Sequence, residues 1–230
     1  QIFNIASIYK GVVNSDSFSV HDFDILTLYP LDFEEFLWAN AEFALTREIR
    51  NHFSDFSPMG KKLHEKALSQ FRLYLIIGGM PAAIMEYKKE KKLLLDLTPS
   101  KSSLHLYPVD TGLCSCILKI PAFQLLSGEE TTAGTACIET FLAQHFIRNG
   151  YALSYWSIGN QAEVPFLLSK NSHFIAIDYR TAPHQKCRNL MQLNKSSLSP
   201  APTQMYLISA EDFRQKEAYR IVPLYAVFCI

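Results

Sequence analysis

Residues 150–180 read GYALSYWSIGNQAEVPFLLSKNSHFIAIDYR, and this stretch decides the fold class. Apolar and polar side chains alternate through residues 151–157, 163–169 and 174–180, a spacing that predicts three β-strands. A Gly-Asn pair follows the first segment and a Lys-Asn-Ser run joins the second to the third, and both are typical of turns. The stretch therefore predicts a three-stranded meander.

Helices are predicted on both sides of this meander. Residues 136–149 precede it, and the glycine after them stands where helices commonly stop. Residues 185–193 follow it and lead to a predicted strand at 204–209. Residues 221–228 are apolar and contain a proline, which predicts an edge strand. The order of helix, three strands, helix and strand indicates an α/β domain.

The first hundred residues predict mainly helices. Asp32 stands where its side chain can cap a helix that begins at Phe33. Asp110 or Thr111 can cap another short helix in the same way. The remaining predicted segments are helices at residues 45–53, 62–77 and 82–97, short strands at 2–7 and 25–28, and a polar linker at 98–103.

Composition sets limits on function. The 22 basic and 22 acidic residues cancel, so there is no global attraction to nucleic acid. The five cysteines lack the spacing of a zinc site and suggest a reducing compartment. The longest uncharged apolar run, residues 73–85, is too short to span a bilayer, so we expect a cytoplasmic protein without a membrane partner.

Several separate motifs support a family resemblance. They are SFSVHDFDILTLYPLDFEEFL (17–37), FRLYLIIGGMPAA (71–83), YPVDTGL (107–113), QLLSGEE (124–130), the stretch 161–180 and VPLYAVFCI (222–230). Together they resemble the C-terminal part of a family of prokaryotic AAA-type ATPases that end in a restriction-endonuclease-like, PD-(D/E)XK domain. The resemblance implies a remnant of the ATPase core at 1–30, a helical lid-like region at 31–100 and a nuclease-like α/β domain with a mixed sheet at 104–230.

The sequence predicts no nucleotide site of its own. A phosphate-binding loop needs the pattern GxxxxGK[ST], whose backbone amides surround the phosphates. Before Gly60 and Lys61, Asp55 stands where the first glycine belongs, and Lys62 stands where the serine or threonine belongs. The resemblance therefore implies ATP only in a full-length relative.

The nuclease motif of the family is altered here. Its second strand carries Glu-Val-Asp and its third carries Glu-x-Lys, whereas this chain has Glu163-Val164-Pro165 and Asp178-Tyr179-Arg180. Proline offers no ligand atom and no amide hydrogen. Arginine keeps the positive charge but does not release a proton near neutral pH. Both changes favour a domain without catalysis.

We therefore expect a catalytically inactive, nuclease-like domain with a degenerate site. Its residues would be Glu139, Glu163, Asp178 and Arg180, and Glu139 is equally compatible with an exposed helix glutamate. One alternative is a magnesium-dependent DNA nuclease that uses Glu139, Glu163 and Asp178, with Glu163 and Asp178 as metal ligands. Another alternative is a protein-interaction module. Across these alternatives the expected partner is DNA or a protein.

Overall fold

A computed structural model of the chain describes residues 29–90, 107–128, 131–158, 162–171, 173–180, 187–196 and 201–230. The chain divides into two compact units, Gln1–Pro30 and Leu31–Ile230. Almost all of the first unit, including the expected ATPase-core remnant and its strands, lies outside the described residues, as does the linker predicted at 98–103. The described residues lie almost entirely in the second unit.

Helices dominate the first part of this unit, as the sequence predicts. Within the described residues the helices are α1 (Phe33–Ala39), α2 (Phe43–Asp55), α3 (Lys61–Ile77), α4 (Pro81–Glu90), α5 (Thr111–Ile117), α6 (Ala122–Ser127), α7 (Thr132–Arg148) and α8 (Arg188–Lys195). The helix predicted at 136–149 thus begins four residues earlier. The helix predicted at 82–97 is observed as far as Glu90, and the rest of it lies outside the described residues.

A mixed six-stranded sheet begins after α7, with α8 inserted between its third and fourth strands, and confirms the predicted fold class. The strands are β1 (Ala152–Ile158), β2 (Ala162–Lys170), β3 (His173–Tyr179), β4 (Gln204–Ser209), β5 (Arg214–Gln215) and β6 (Arg220–Pro223). Their order is β1-β2-β3-β4-β6-β5. The predicted meander is confirmed by the antiparallel pairs β1–β2 and β2–β3, while β3–β4 and β4–β6 are parallel.

The sheet separates two hydrophobic cores. The larger core packs α1, α2, α3, α5 and α7 against side chains such as Phe166, Ile177 and Ile208. The smaller core packs α8 against the opposite face, through residues such as Leu167 and Ala176. Successive strand residues enter different cores because side chains alternate across a sheet. This alternation decides toward which layer each residue at the end of β3 points.

The predicted helix caps are observed at α1 and α5. The Asp32 carboxylate accepts from the Glu35 amide at 2.8 Å, and the Glu35 carboxylate accepts from the Asp32 amide at 2.9 Å, which forms a capping box. At α5 the cap is Asp110, whose Oδ1 accepts from the Leu113 amide at 3.0 Å. The capping residue of α5 is therefore the aspartate, while Thr111 is the first residue of the helix.

Asp110 also connects α5 to the end of α3. Its second oxygen accepts from the backbone amide of Gly79 at 2.5 Å. A Cβ on Gly78 would lie 2.1 Å from Asp110 Oδ1, and a Cβ on Gly112 would lie 2.5 Å from the carbonyl oxygen of Ile77. The Gly-Gly and Asp-Thr-Gly motifs therefore pack so closely that a side chain at Gly78 or Gly112 would not fit.

The edge strand predicted at 221–228 is wrong. Only Arg220–Pro223 is a strand, and it lies between β4 and β5 instead of at an edge. Leu224–Cys229 forms a 3₁₀ helix whose residues from Leu224 to Phe228 are buried. An edge strand would leave alternate side chains of this apolar run in solvent, whereas the 3₁₀ helix buries them between the sheet and the helices.

His64 of α3 makes polar contacts with this 3₁₀ helix and with the residue that follows β4. His64 Nε2 donates to the carbonyl oxygen of Ala210 at 2.9 Å, which leaves Nδ1 to accept from the Tyr225 hydroxyl at 2.8 Å. The ring of Phe228 packs against Phe33 of α1, with 6.2 Å between ring centroids. Segments from opposite ends of the described chain thus share one core.

His145 is buried in α7, and we expect it to make the free energy of unfolding depend on pH. Burial, with a smaller contribution from Arg148, lowers its pKa from 6.5 to about 4, and Nδ1 has no hydrogen-bond partner among the described residues. The unfolded chain then binds a proton between pH 6.5 and 4 that the folded chain does not, so stability decreases as pH falls through this range. We expect a loss of up to roughly 3 kcal/mol from this residue.

The measurement is urea unfolding from pH 7 to pH 4 for the unmodified chain and for His145→Leu. Leucine has a similar volume and no titratable group, so the difference between the two profiles isolates the histidine. We expect the variant to lose less stability on acidification. Parallel profiles would contradict a buried, neutral His145.

Candidate functional site

An open cleft of about 270 Å³ lies where β2 and β3 meet α7 and α8. All residues predicted for the degenerate site, Glu139, Glu163, Asp178 and Arg180, line this cleft. The lining residues are Glu139, Glu163, Pro165, Asp178, Tyr179, Arg180 and Asn189. Three of these come from the end of β3 and its continuation, two from β2 and one each from α7 and α8. The sheet therefore brings together side chains that are up to fifty positions apart in the chain.

Asp178 forms an ion pair with Arg180 that occupies both of its oxygens. Arg180 Nη1 donates to Oδ1 at 2.9 Å, and Nη2 lies 2.8 Å from Oδ2. The backbone amide of Tyr179 also donates to Oδ1, and the thiol of Cys187 lies 3.5 Å from Oδ2. This bidentate geometry is the strongest form of an arginine–carboxylate contact.

The electrostatics of Asp178 reflect this enclosure. The residue is 1% exposed, and burial raises its pKa, while the guanidinium of Arg180 acts in the opposite direction. Burial also raises the pKa of the neighbouring Cys187 thiol to about 12, with a further contribution from the charge of Asp178. The thiol is thus a neutral donor to the carboxylate and not a nucleophile.

Glu139 is held by a different partner. Tyr179 points toward α7 because it alternates with Asp178 along β3, and its hydroxyl donates to Glu139 Oε1. Burial raises the pKa of Tyr179, and hydrogen bonding to Glu139 adds to the increase. Glu139 is half-buried and bonded, so the interpretation as an exposed helix glutamate is wrong.

Pro165 lies at a β-bulge. Between β1 and β2, Ser154 pairs with Leu167 but Trp156 pairs with Val164, so residues 165 and 166 lie opposite Tyr155 alone. The ladder between β2 and β3 extends only as far as Phe166 and Ile177. A proline is tolerated here because the strand needs no amide hydrogen at the bulge.

Four residues at or beside this cleft have contacts that the sequence did not predict. Tyr179 bonds Glu139, Cys187 lies against Asp178, and Asn189 of α8 lines the cleft. Burial raises the pKa of Tyr107, and the charges of Glu139 and Glu163 raise it further, which places this ring near both carboxylates. The alternation of β3 was a usable signal for Tyr179, whereas no sequence pattern marks the other three.

A divalent metal would need several of these oxygens at once. Magnesium prefers octahedral oxygen ligands near 2.0–2.1 Å. Among the residues that the structure describes, no group of three or more His, Cys, Asp or Glu side chains is arranged to hold a metal ion. Both oxygens of Asp178 already face a cation of the same chain, and Pro165 supplies none.

The cleft thus contains two internally paired carboxylates, Asp178 with Arg180 and Glu139 with Tyr179, beside the exposed Glu163. Within the described ranges, no helix has both the length and the hydrophobicity to cross a bilayer. No protein-family model, no curated protein and no solved structure matches this chain.

Proposed function

We propose that this chain is a non-catalytic, nuclease-like scaffold that acts as part of, or derives from, an AAA-type ATPase of prokaryotic origin. It carries no nucleotide site of its own in this proposal. The observation that supports it most directly is the bidentate ion pair between Asp178 and Arg180. The guanidinium stands against the carboxylate on which a metal-dependent nuclease of this motif would depend.

The pair supports inactivity on physical grounds. A metal ion that bound Asp178 would have to displace a cation tethered two residues away, and it would leave that cation without its partner. Arginine also stays protonated at neutral pH, so Arg180 does not serve as a base for an attacking water. The role left to this site is structural.

The remaining features agree with this proposal. Pro165 contributes no ligand, and Glu139 is bonded to Tyr179 on the side of the sheet that faces α7. None of the five cysteines forms a disulfide in the structure, as expected for a cytoplasmic protein. The separate motifs that resemble the ATPase family support the wider proposal, in which a DNA or protein partner would belong to that assembly.

The test is a cleavage assay with plasmid and single-stranded DNA in the presence of magnesium or manganese. We expect no divalent-cation-dependent cleavage by the unmodified chain, because its metal position is closed by Arg180. A second protein carries Pro165→Asp, Asp178→Glu and Arg180→Lys, which returns an oxygen ligand to β2 and a lysine to β3. We expect cleavage, if any, from this restored protein alone.

A matched control protein keeps Pro165→Asp and Arg180→Lys but carries Asp178→Gln, which removes the charge while preserving the shape of the glutamate in the restored protein. It should be inert, so that activity of the restored protein is traced to the carboxylate. Cleavage by the unmodified chain that Asp178→Ala abolishes would show that the proposal is wrong. Such a result would favour the magnesium-dependent nuclease instead.

A further inference from the structure

β1 forms one edge of the sheet and has an unusual composition for such a position. Among the described strands it pairs only with β2. Its seven residues read ALSYWSI and include no charge, no proline and no glycine. Edge strands of monomeric proteins commonly carry charges or prolines, because a bare edge offers its amide and carbonyl groups to any other strand.

The opposite edge provides an internal comparison. β5 is only two residues long, Arg214–Gln215, and both residues are exposed. It contains Arg214 and is followed by Lys216 and Glu217, so this short edge carries several charges. This edge shows the usual protection against strand pairing, whereas β1 shows none of these features.

The side chains of β1 fit a partner strand. Leu153 packs against the larger core and Trp156 against the smaller one, which fixes the strand in the sheet. Between them Tyr155 is 67% exposed, and Ile158 at the end is 44% exposed. Aromatic and β-branched residues are those that stabilise cross-strand pairs most.

We propose that β1 pairs in antiparallel orientation with β1 of a second copy of this chain, across a two-fold axis at Tyr155. In this register Tyr155 lies opposite its own counterpart, Ser154 lies opposite Trp156, and Leu153 lies opposite Ser157. The exposed Ile158 lies opposite Ala152. The two sheets become one continuous sheet of twelve strands.

The absence of charge on β1 allows it to pair with a second copy of itself. An isologous contact places each residue against residues of the same strand, so a strand with charges of one sign would repel itself. β1 has no charge and therefore meets no such repulsion. Nucleic acid would require basic side chains at the surface, and β1 provides none.

The contact is expected to be weak and insensitive to salt. Two paired strands bury less than the roughly 1,200–2,000 Å² of a stable interface, so we expect dissociation constants in the range of roughly 1 μM to 1 mM. Since no ion pair forms, the constant should change by less than about twofold between low and high salt.

Sedimentation velocity of the whole chain over a range of concentrations tests the proposal. Tyr155→Lys places two like charges at the axis, and we expect the dissociation constant to rise at least about tenfold. The matched control is Phe123→Lys, which changes an equally exposed aromatic residue, 64% exposed on α6, and should leave association unchanged. Thermal melting of each variant verifies that it is folded.

A mixing experiment tests the two-fold axis itself. Tyr155→Lys and Tyr155→Glu should each be monomeric alone but should associate when mixed, because opposite charges then meet at the axis. A chain that remains monomeric at all concentrations overturns the proposal, as does a dimer that Tyr155→Lys leaves intact or that Phe123→Lys disrupts equally. Association of each charged variant alone would also overturn it.

Discussion

Gly79→Ala is expected to destabilise the folded chain by at least about 3 kcal/mol, or to prevent folding altogether. The added Cβ would lie 2.0 Å from the carbonyl oxygen of Leu31, which is a backbone atom and not a mobile side chain. The two segments are also joined by a hydrogen bond from the Leu31 amide to the Gly79 carbonyl at 2.8 Å. Neither can retreat without breaking this contact and the Asp110 bond.

The measurement is urea unfolding followed by circular dichroism, with Gly60→Ala as the matched control. Gly60 has a φ of +77° and nothing within 4 Å of its added Cβ, so alanine there costs only backbone strain of about 1–2 kcal/mol. We expect Gly79→Ala to lose clearly more stability than the control. Equal losses would show that the Gly-Gly segment is not closely packed.

Arg180→Met is expected to cost about 3–5 kcal/mol at neutral pH, because it leaves the buried Asp178 carboxylate without its cation. The loss should shrink in acid. Burial already raises the pKa of Asp178, and removal of Arg180 raises it further, so the folded state takes up a proton before the unfolded chain does. Stability of the variant relative to the parent therefore increases as pH falls toward that pKa.

Unfolding at pH 7 and near pH 5 measures this effect, and a double variant provides the control. Asp178→Asn combined with Arg180→Met removes both charges, so it should be more stable at pH 7 than Arg180→Met alone. Its stability relative to the parent should also depend less on pH. A double variant as unstable as the single one would mean that the ion pair contributes little and that Arg180 acts through packing.

The sequence predicted the fold class and the meander because they depend on local spacing. The alternating segments between residues 151 and 180 form three paired strands, and the helix before them places Glu139 in the cleft. The predicted site residues therefore meet in one place. The site residues come together because of the topology of the domain, and the order of helices and strands along the chain is enough to predict that topology.

The side-chain contacts within the cleft could not be predicted from the sequence. The spacing of Asp178 and Arg180 on one strand is compatible with two separate roles, and only burial and side-chain rotamers decide that they pair. The bulge at Pro165 depends on its neighbour strand β1. The apolar run 221–228 predicts a strand because periodicity alone does not distinguish a buried strand from a buried 3₁₀ helix.

The buried 3₁₀ helix determines when this molecule can fold. Tyr225 contacts His64 across 161 positions of the chain, and Phe228 packs against Phe33. Contacts of such long range carry a large loop-closure cost and slow the approach to the native state. During synthesis the parts of α1 and α3 that pack against residues 224–228 therefore stay uncovered until those residues have left the ribosome, and such exposed apolar surface favours aggregation.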